Sequence, residues 1–225
     1  MFVKICGFTD PANVAAVCGG DDPPDAIGLN FWDGSKRFVG RQDGALGTGP
    51  TMKAALPDGV SVWGVFVNMG VRWITDYLPG LDAVQFHGDE SPHATANVRK
   101  YLRDGQAVRA WRVRGSLDPL VSHLEAAKQA GSTPDRILLD AAIPGAYGGT
   151  GAKLDWHALR GELDRVGDAL PPVILAGGLT PENVAEAIRI VRPWGVDVAG
   201  GVESAPGIKD PAKVAAFCDA ARGAL

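Results

Sequence analysis

Eight short apolar runs, each closing on a glycine or a polar side chain, alternate along this chain with segments whose apolar residues recur at helical spacing. The runs extend from Phe2 to Ile5, Ala26 to Phe31, Val60 to Val67, Ala83 to Gly88, Ala107 to Val113, Arg136 to Asp140, Val173 to Ala176 and Gly195 to Ala199. Helices are expected from Pro11 to Cys18, somewhere between Arg41 and Leu56, from Val71 to Leu78, Ala94 to Leu102 and Pro119 to Ala130, from near Asp155, from the Thr180-Pro181-Glu182 opening to Val191, and from Asp210 to Ala221. Strict alternation makes neighbouring strands parallel, because each helix returns the chain to the edge where the last strand began. An open doubly wound sheet and a closed ring both satisfy this. No G-x-G-x-x-G follows the first run, which removes the main signature of the open sheet. A length of 225 residues is also what eight β-α units need in order to close. The expected fold is α/β, a (β/α)8 TIM barrel forming a single domain over residues 1–225.

Composition narrows the partners. A net charge of −4 provides no blanket of positive charge for nucleic acid or an anionic membrane, so any anionic substrate must be met locally. No apolar run approaches the ~20 residues that span a bilayer, and Met1 leads straight into the first strand, leaving no room for an export signal. Three cysteines, Cys6, Cys18 and Cys218, make an odd count without C-x-x-C spacing, against a disulfide framework or a zinc knuckle. The four histidines, His87, His93, His123 and His157, lack close ligand spacing. The expectation is a cytoplasmic protein with no metal site; oligomeric state is not legible.

In a parallel barrel the carboxyl ends of the strands floor the active site. Cys6 closes the first run, Gln85 and His87 the fourth, Asp140 the sixth, and Asp197 lies on the eighth. Taken singly each has an ordinary explanation: cysteine as a small core residue, aspartate as a helix cap, histidine as a satisfied polar group. Their convergence on one end of one ring points to a site. Period-two alternation puts Lys4 on the same face as Cys6, one layer below, where an ammonium is expected to favour the thiolate. Gly177-Gly178 and Gly200-Gly201 follow the seventh and eighth runs, where backbone N–H groups and helix amino ends can cradle a phosphate; tight turns requiring positive φ are the competing explanation. Two loops are long for β-α connections, Trp32 to Phe38 and Ala141 to Lys153.

Lys4-Ile5-Cys6-Gly7, Ser35-Lys36-Arg37, Val65-Phe66-Val67-Asn68, Gln85-Phe86-His87-Gly88, Leu138-Leu139-Asp140, Gly148-Gly149-Thr150-Gly151, Ala176-Gly177-Gly178-Leu179 and the stretch from Asp197 to Glu203 occur in this order. Through them the chain resembles, over its whole length, the phosphoribosylanthranilate isomerase family of tryptophan biosynthesis. The resemblance implies a cofactor-free Amadori rearrangement of N-(5-phosphoribosyl)anthranilate. It implies that Asp140 is the general acid that opens the furanose ring and Cys6 the general base at C2. Arg37 would hold the anthranilate carboxylate, Asp197 would help orient the substrate, Gln85 and His87 would line the site, and Gly177, Gly178, Gly200 and Gly201 would hold the phosphate. For that role Asp140 must keep its proton near neutrality. Arg37 and the Gly148 to Gly151 loop are expected to move on binding. Asn30, Asp33, Ala176 and Ala199-Gly200 depart from the family pattern, Ala176, Ala199 and Gly200 standing where serine hydroxyls are common near the expected phosphate. A related phosphosugar isomerase of broader specificity and a non-catalytic phosphometabolite-binding barrel are the competing functions.

Overall fold

A computed structural model describes residues 1–40, 48–102, 104–141 and 154–224. Its eight parallel strands form one closed ring in sequence order: β1 (Phe2–Cys6), β2 (Ala26–Asn30), β3 (Ser61–Phe66), β4 (Ala83–Phe86), β5 (Gln106–Val113), β6 (Arg136–Ala141), β7 (Val173–Leu175) and β8 (Gly195–Val198). The ring closes where β1 pairs with β8, Lys4 lying opposite Asp197. The helices that return the chain are α1 (Pro11–Cys18), α2 (Thr48–Ala54), α3 (Val71–Tyr77), α4 (Pro92–Arg99), α5 (Asp118–Gln129), α6 (Trp156–Val166), α7 (Val184–Val191) and α8 (Pro211–Arg222). The expected barrel is therefore the observed one. Among the described residues no helix is long and apolar enough to cross a membrane.

Local chemistry explains where elements start. Asp10, Asp155 and Asp210 cap α1, α6 and α8 through side-chain oxygens that accept first-turn backbone N–H groups, and proline stands in the first turn of α1 and α8. The least regular expected helix, between Arg41 and Leu56, is seven residues long, in keeping with the glycines that interrupt it. One element was not anticipated. Between β8 and α8 the chain makes a hairpin, β9 (Glu203–Ala205) and β10 (Ile208–Lys209), turning at Gly207 with φ +87°. Its strands are too short for any periodicity to register.

Alternation along the strands makes two cores. Val3, Ile5, Ile27, Leu29, Val62, Val84, Ile137, Leu139 and Val196 face the helices, where Val14, Ile74, Leu120, Val184, Ile188 and Phe217 meet them. Ala26, Trp63, Ala83, Val108, Ala110, Leu138 and Ile174 fill the inside of the ring, with Phe2 stacked on Trp63 at 5.5 Å. Above that apolar floor the inward positions become polar: Lys4, Gln85, Asp140 and Asp197 are all buried. A closed ring has no edge through which these groups could reach water, so each has to find a partner inside or face the open mouth.

Candidate active site

The mouth of the ring is assembled from β1 outward. Lys4, with no exposed surface, donates from Nζ to Asp197 Oδ1 at 2.9 Å and lies 5.7 Å from the centre of the Trp63 ring. Cys6 stands next to it on the same face, partly open. Gly28, opposite Cys6 on β2, makes the space: a Cβ there would lie 2.7 Å from Cys6 Sγ and 3.0 Å from Lys4 Nζ. Sequence reading had passed over this residue, although a glycine inside a strand often marks a close approach.

The electrostatics correct one expectation. Burial pushes the Cys6 thiol above its ordinary value; Lys4 and Lys209 pull it down, Asp197 pushes it up, and the net direction is upward. Lys4 was expected to bring the thiol below its usual value. It does oppose the rise, but desolvation is the larger effect, because removing a thiolate from water costs more than a neighbouring ammonium already shared with Asp197 returns. Burial pushes Lys4 down, but Asp197 and Cys6 together outweigh it and hold Lys4 above its usual value, so it is a charged partner.

On β6, Asp140 is 6% exposed and its Oδ1 accepts from the Ala141 N–H at 2.8 Å. Among the described residues this side chain caps no helix. His87 Nε2 lies 3.4 Å from Asp140 Oδ2, too long for a good hydrogen bond, and Gln85 Nε2 lies 2.8 Å from His87 Nδ1. With the Gln85 amide donating, Nδ1 accepts and the ring proton sits on Nε2, facing the carboxyl. Gln85 has no exposed surface, so it orients His87 from below and presents nothing to the mouth.

Arg37, from the loop after β2, reaches across the end of β1. Gly7, at φ +86°, admits it: a Cβ on Gly7 would come within 2.3 Å of Arg37 Cδ. Its Nε and Nη2 each donate at 2.7 Å to Glu203. The expectation that Arg37 is mobile thus meets a side chain held at two points. The Gly148 to Gly151 loop, expected to move with it, lies outside the described residues.

The glycines after β7 and β8 sit side by side, since a Cβ on Gly201 would fall 2.0 Å from the Leu179 carbonyl oxygen. Gly177 and Gly178 take φ +92° and +65°, so positive φ is required there. Gly200 and Gly201 lie in a short 3-10 turn, where close approach accounts for Gly201, whereas a Cβ on Gly200 would make only ordinary contacts, 3.4 Å from Arg37 Nη2. Asn183 ties the first loop down, donating to the Gly178 carbonyl at 3.0 Å and accepting from the Thr180 N–H at 2.8 Å.

Cys6, Arg37, His87, Asp140, Asp197 and the four glycines therefore gather at the carboxyl end of the ring, with Asp197 engaged by Lys4 and Gln85 beneath. Residues 3–220 match the family model described as N-(5'-phosphoribosyl)anthranilate (PRA) isomerase. The chain is 44% identical to the N-(5'-phosphoribosyl)anthranilate isomerase of Magnetococcus marinus, covering 99% of this chain and 95% of that one. The counterpart from Thiobacillus denitrificans is 39% identical, with 98% and 97% covered. Among solved structures, phosphoribosyl anthranilate isomerase from Thermotoga maritima superposes with TM-score 0.78 at 32% identity, 99% of each chain being covered. A phosphoribosyl anthranilate isomerase in complex with reduced 1-(o-carboxyphenylamino)-1-deoxyribulose 5-phosphate does so with TM-score 0.75 at 30% identity, again over 99% of each. A match of this extent, on a closed ring whose polar groups converge at one end, shows that the chain belongs to the N-(5'-phosphoribosyl)anthranilate isomerase family.

Proposed function

We propose that this chain isomerises N-(5'-phosphoribosyl)anthranilate to 1-(2-carboxyphenylamino)-1-deoxyribulose 5-phosphate in tryptophan biosynthesis, with Asp140 as acid and Cys6 as base. The observation that carries the reading is membership of the family along residues 3–220 together with a thiol and a carboxyl on inward positions at the same end of the ring.

The reaction delivers two protons, to the furanose ring oxygen and to C1, and removes two, from C2 and from the enol oxygen. Asp140 gives its proton to the furanose ring oxygen while the anilino nitrogen lone pair forms C1=N and the C1–O bond breaks. Cys6, as thiolate, then takes the C2 proton; the C–H electrons become the C1=C2 bond and the iminium nitrogen becomes an amine. Protonation at C1 and loss of the enol proton give the ketone, so nothing is oxidised or reduced overall. Burial pushes the Cys6 thiol up, so it starts protonated and gives that proton to water at the partly open mouth as the thiolate forms. Ring opening makes a cationic iminium beside it, and together with Lys4 this favours the thiolate when the C2 proton must leave.

Arg37 is the group for the anthranilate carboxylate, its guanidinium keeping three of five donors beyond those given to Glu203. The backbone N–H groups around Gly177, Gly178, Gly200 and Gly201 hold the phosphate, which anchors the substrate far from the reacting carbons. His87 stands against Asp140, and Asp197 acts through Lys4. Loss of anthranilate-adduct fluorescence on adding the purified protein, and growth of an isomerase-deficient tryptophan auxotroph carrying its gene, are the expected results. Absence of both, with the phosphorylated product analogue still bound, would leave a binding protein in place of an enzyme.

A further inference from the structure

The hairpin β9–β10 carries a charge cluster that the reaction steps do not use. Glu203 Oε1 accepts from Arg37 Nε at 2.7 Å, from Lys209 Nζ at 2.7 Å and from the Gly207 N–H at 3.0 Å, while Oε2 accepts from Arg37 Nη2 at 2.7 Å. The Lys209 side chain has no exposure and that of Glu203 8%. Lys209 Nζ also donates to the Ala199 carbonyl at 3.2 Å and lies 5.8 Å from the centre of the Phe8 ring. Its backbone is pinned to α1, the Lys209 N–H donating to Asn13 Oδ1 and the Asn13 amide donating back, both at 2.8 Å. The carboxylate thus receives four hydrogen bonds from three directions and has no freedom to turn.

We infer that Glu203, locked by Lys209, is a positioning residue that presents the Arg37 guanidinium to the substrate's carboxylate and so sets the preference for an anionic arylamine. The inference rests on the reading that Arg37 meets that carboxylate. Two buried or half-buried cations share one carboxylate here, leaving a unit of positive charge that an incoming anion compensates. A bidentate fork fixes the plane of a guanidinium as a single hydrogen bond cannot. An arginine held in this way enters the encounter without losing the rotamer freedom that a free side chain forfeits on binding. Glu203 stands out on the hairpin because its neighbours Ser204 and Ala205 are exposed, so its burial answers to Arg37 and Lys209 and not to strand packing.

The test compares affinity for reduced 1-(o-carboxyphenylamino)-1-deoxyribulose 5-phosphate with affinity for its counterpart lacking the ring carboxyl, by titration calorimetry. Their ratio reports carboxylate preference alone. In Glu203→Gln and in Lys209→Met the ratio is expected to fall at least fivefold while affinity for the carboxyl-free ligand stays within threefold of wild type. A general structural defect would weaken both ligands alike, and that result overturns the inference. Glu203→Gln/Lys209→Met removes the stranded ammonium and is expected to recover melting temperature over Glu203→Gln without recovering the ratio; recovery of both overturns it. Should Glu203→Gln not fold, Glu203→Asp, which keeps the charge but cannot span Arg37 and Lys209, is read in its place for the same partial loss. Arg37→Ala separates the two claims. If it leaves the ratio intact, the carboxylate does not meet Arg37; if it erases the ratio while Glu203→Gln keeps it within twofold, Arg37 binds the carboxylate and needs no positioning.

Discussion

Gly28→Ala places one methyl group against the thiol and the ammonium at once. The added Cβ would lie 2.7 Å from Cys6 Sγ and 3.0 Å from both Cys6 Cα and Lys4 Nζ, where carbon contacts settle at roughly 3.5–4.0 Å. The backbone cannot open to receive it. Gly28 is paired with Cys6 in the ladder, and its carbonyl accepts the Gly7 N–H at 2.7 Å and the Phe8 N–H at 3.2 Å. The thiol therefore has to swing away by about 1 Å, a displacement that costs roughly 100-fold when it separates a catalytic group from its target. That corresponds to about 2.7 kcal/mol in the barrier. Overpacking destabilises by about 1–3 kcal/mol, offset in part by the roughly 0.5–1 kcal/mol gained when a strand glycine becomes alanine. The assay is kcat from anthranilate-adduct fluorescence at saturating substrate, with a thermal melt beside it. Gly161→Ala, on α6 with nothing within 4 Å of the new Cβ, is the control expected to keep wild-type activity. A Gly28→Ala protein with kcat within threefold of wild type and a native melt would refute the assignment of Cys6 as the base held in that space.

Other perturbations follow from the same geometry. Gly177→Ala combines φ +92° with a Cβ 2.8 Å from the Ala141 nitrogen and 3.0 Å from Asp140 Oδ1, so kcat should drop at least tenfold with a destabilisation of about 2 kcal/mol or more; a neutral variant in the same fluorescence and melting assays would count against it. Lys4→Met strands the Asp197 carboxylate in the ring and should cost about 3–5 kcal/mol by denaturant titration, whereas Lys4→Met/Asp197→Leu should regain most of that stability without regaining turnover. His123, packed against Trp111 at 5.4 Å, is pushed down to about 4, first by burial and then by Arg109. The folded state refuses a proton that the unfolded chain accepts near 6.5, so stability is full above that pH and declines as pH falls towards about 4. His123→Phe should remove about 1–3 kcal/mol of this decline, and melts that fall equally in both proteins would exclude the effect.

Much of the barrel could be read before any coordinates because the βα rhythm is repeated eight times and each repeat ends in its own punctuation. Pro11 after Asp10 and Pro211 after Asp210 announce helices that begin at those residues. The inward positions Cys6, Asp140 and Asp197 followed from period-two alternation and strand ends alone. What escaped was set by contacts distant in sequence. Lys209 reads as a surface lysine beside a capping aspartate, and only the hairpin folding back on Phe8 and Glu203 buries it. The thiol's upward displacement likewise depends on how closely the ring wraps Cys6, a property no spacing rule carries. Gln85 was grouped with the groups lining the mouth, and its total burial shows that a strand-end residue can stop one layer short.

The division of labour between Cys6 and Asp140 is tested most directly by Cys6→Ser and Asp140→Asn, each assayed for turnover of N-(5'-phosphoribosyl)anthranilate and, in parallel, for binding of the reduced product analogue. Both variants should bind the analogue within threefold of wild type while kcat falls by about 10²–10⁴-fold, the range a positioned acid or base supplies. Turnover within threefold of wild type in either variant, with binding unchanged, would contradict the account.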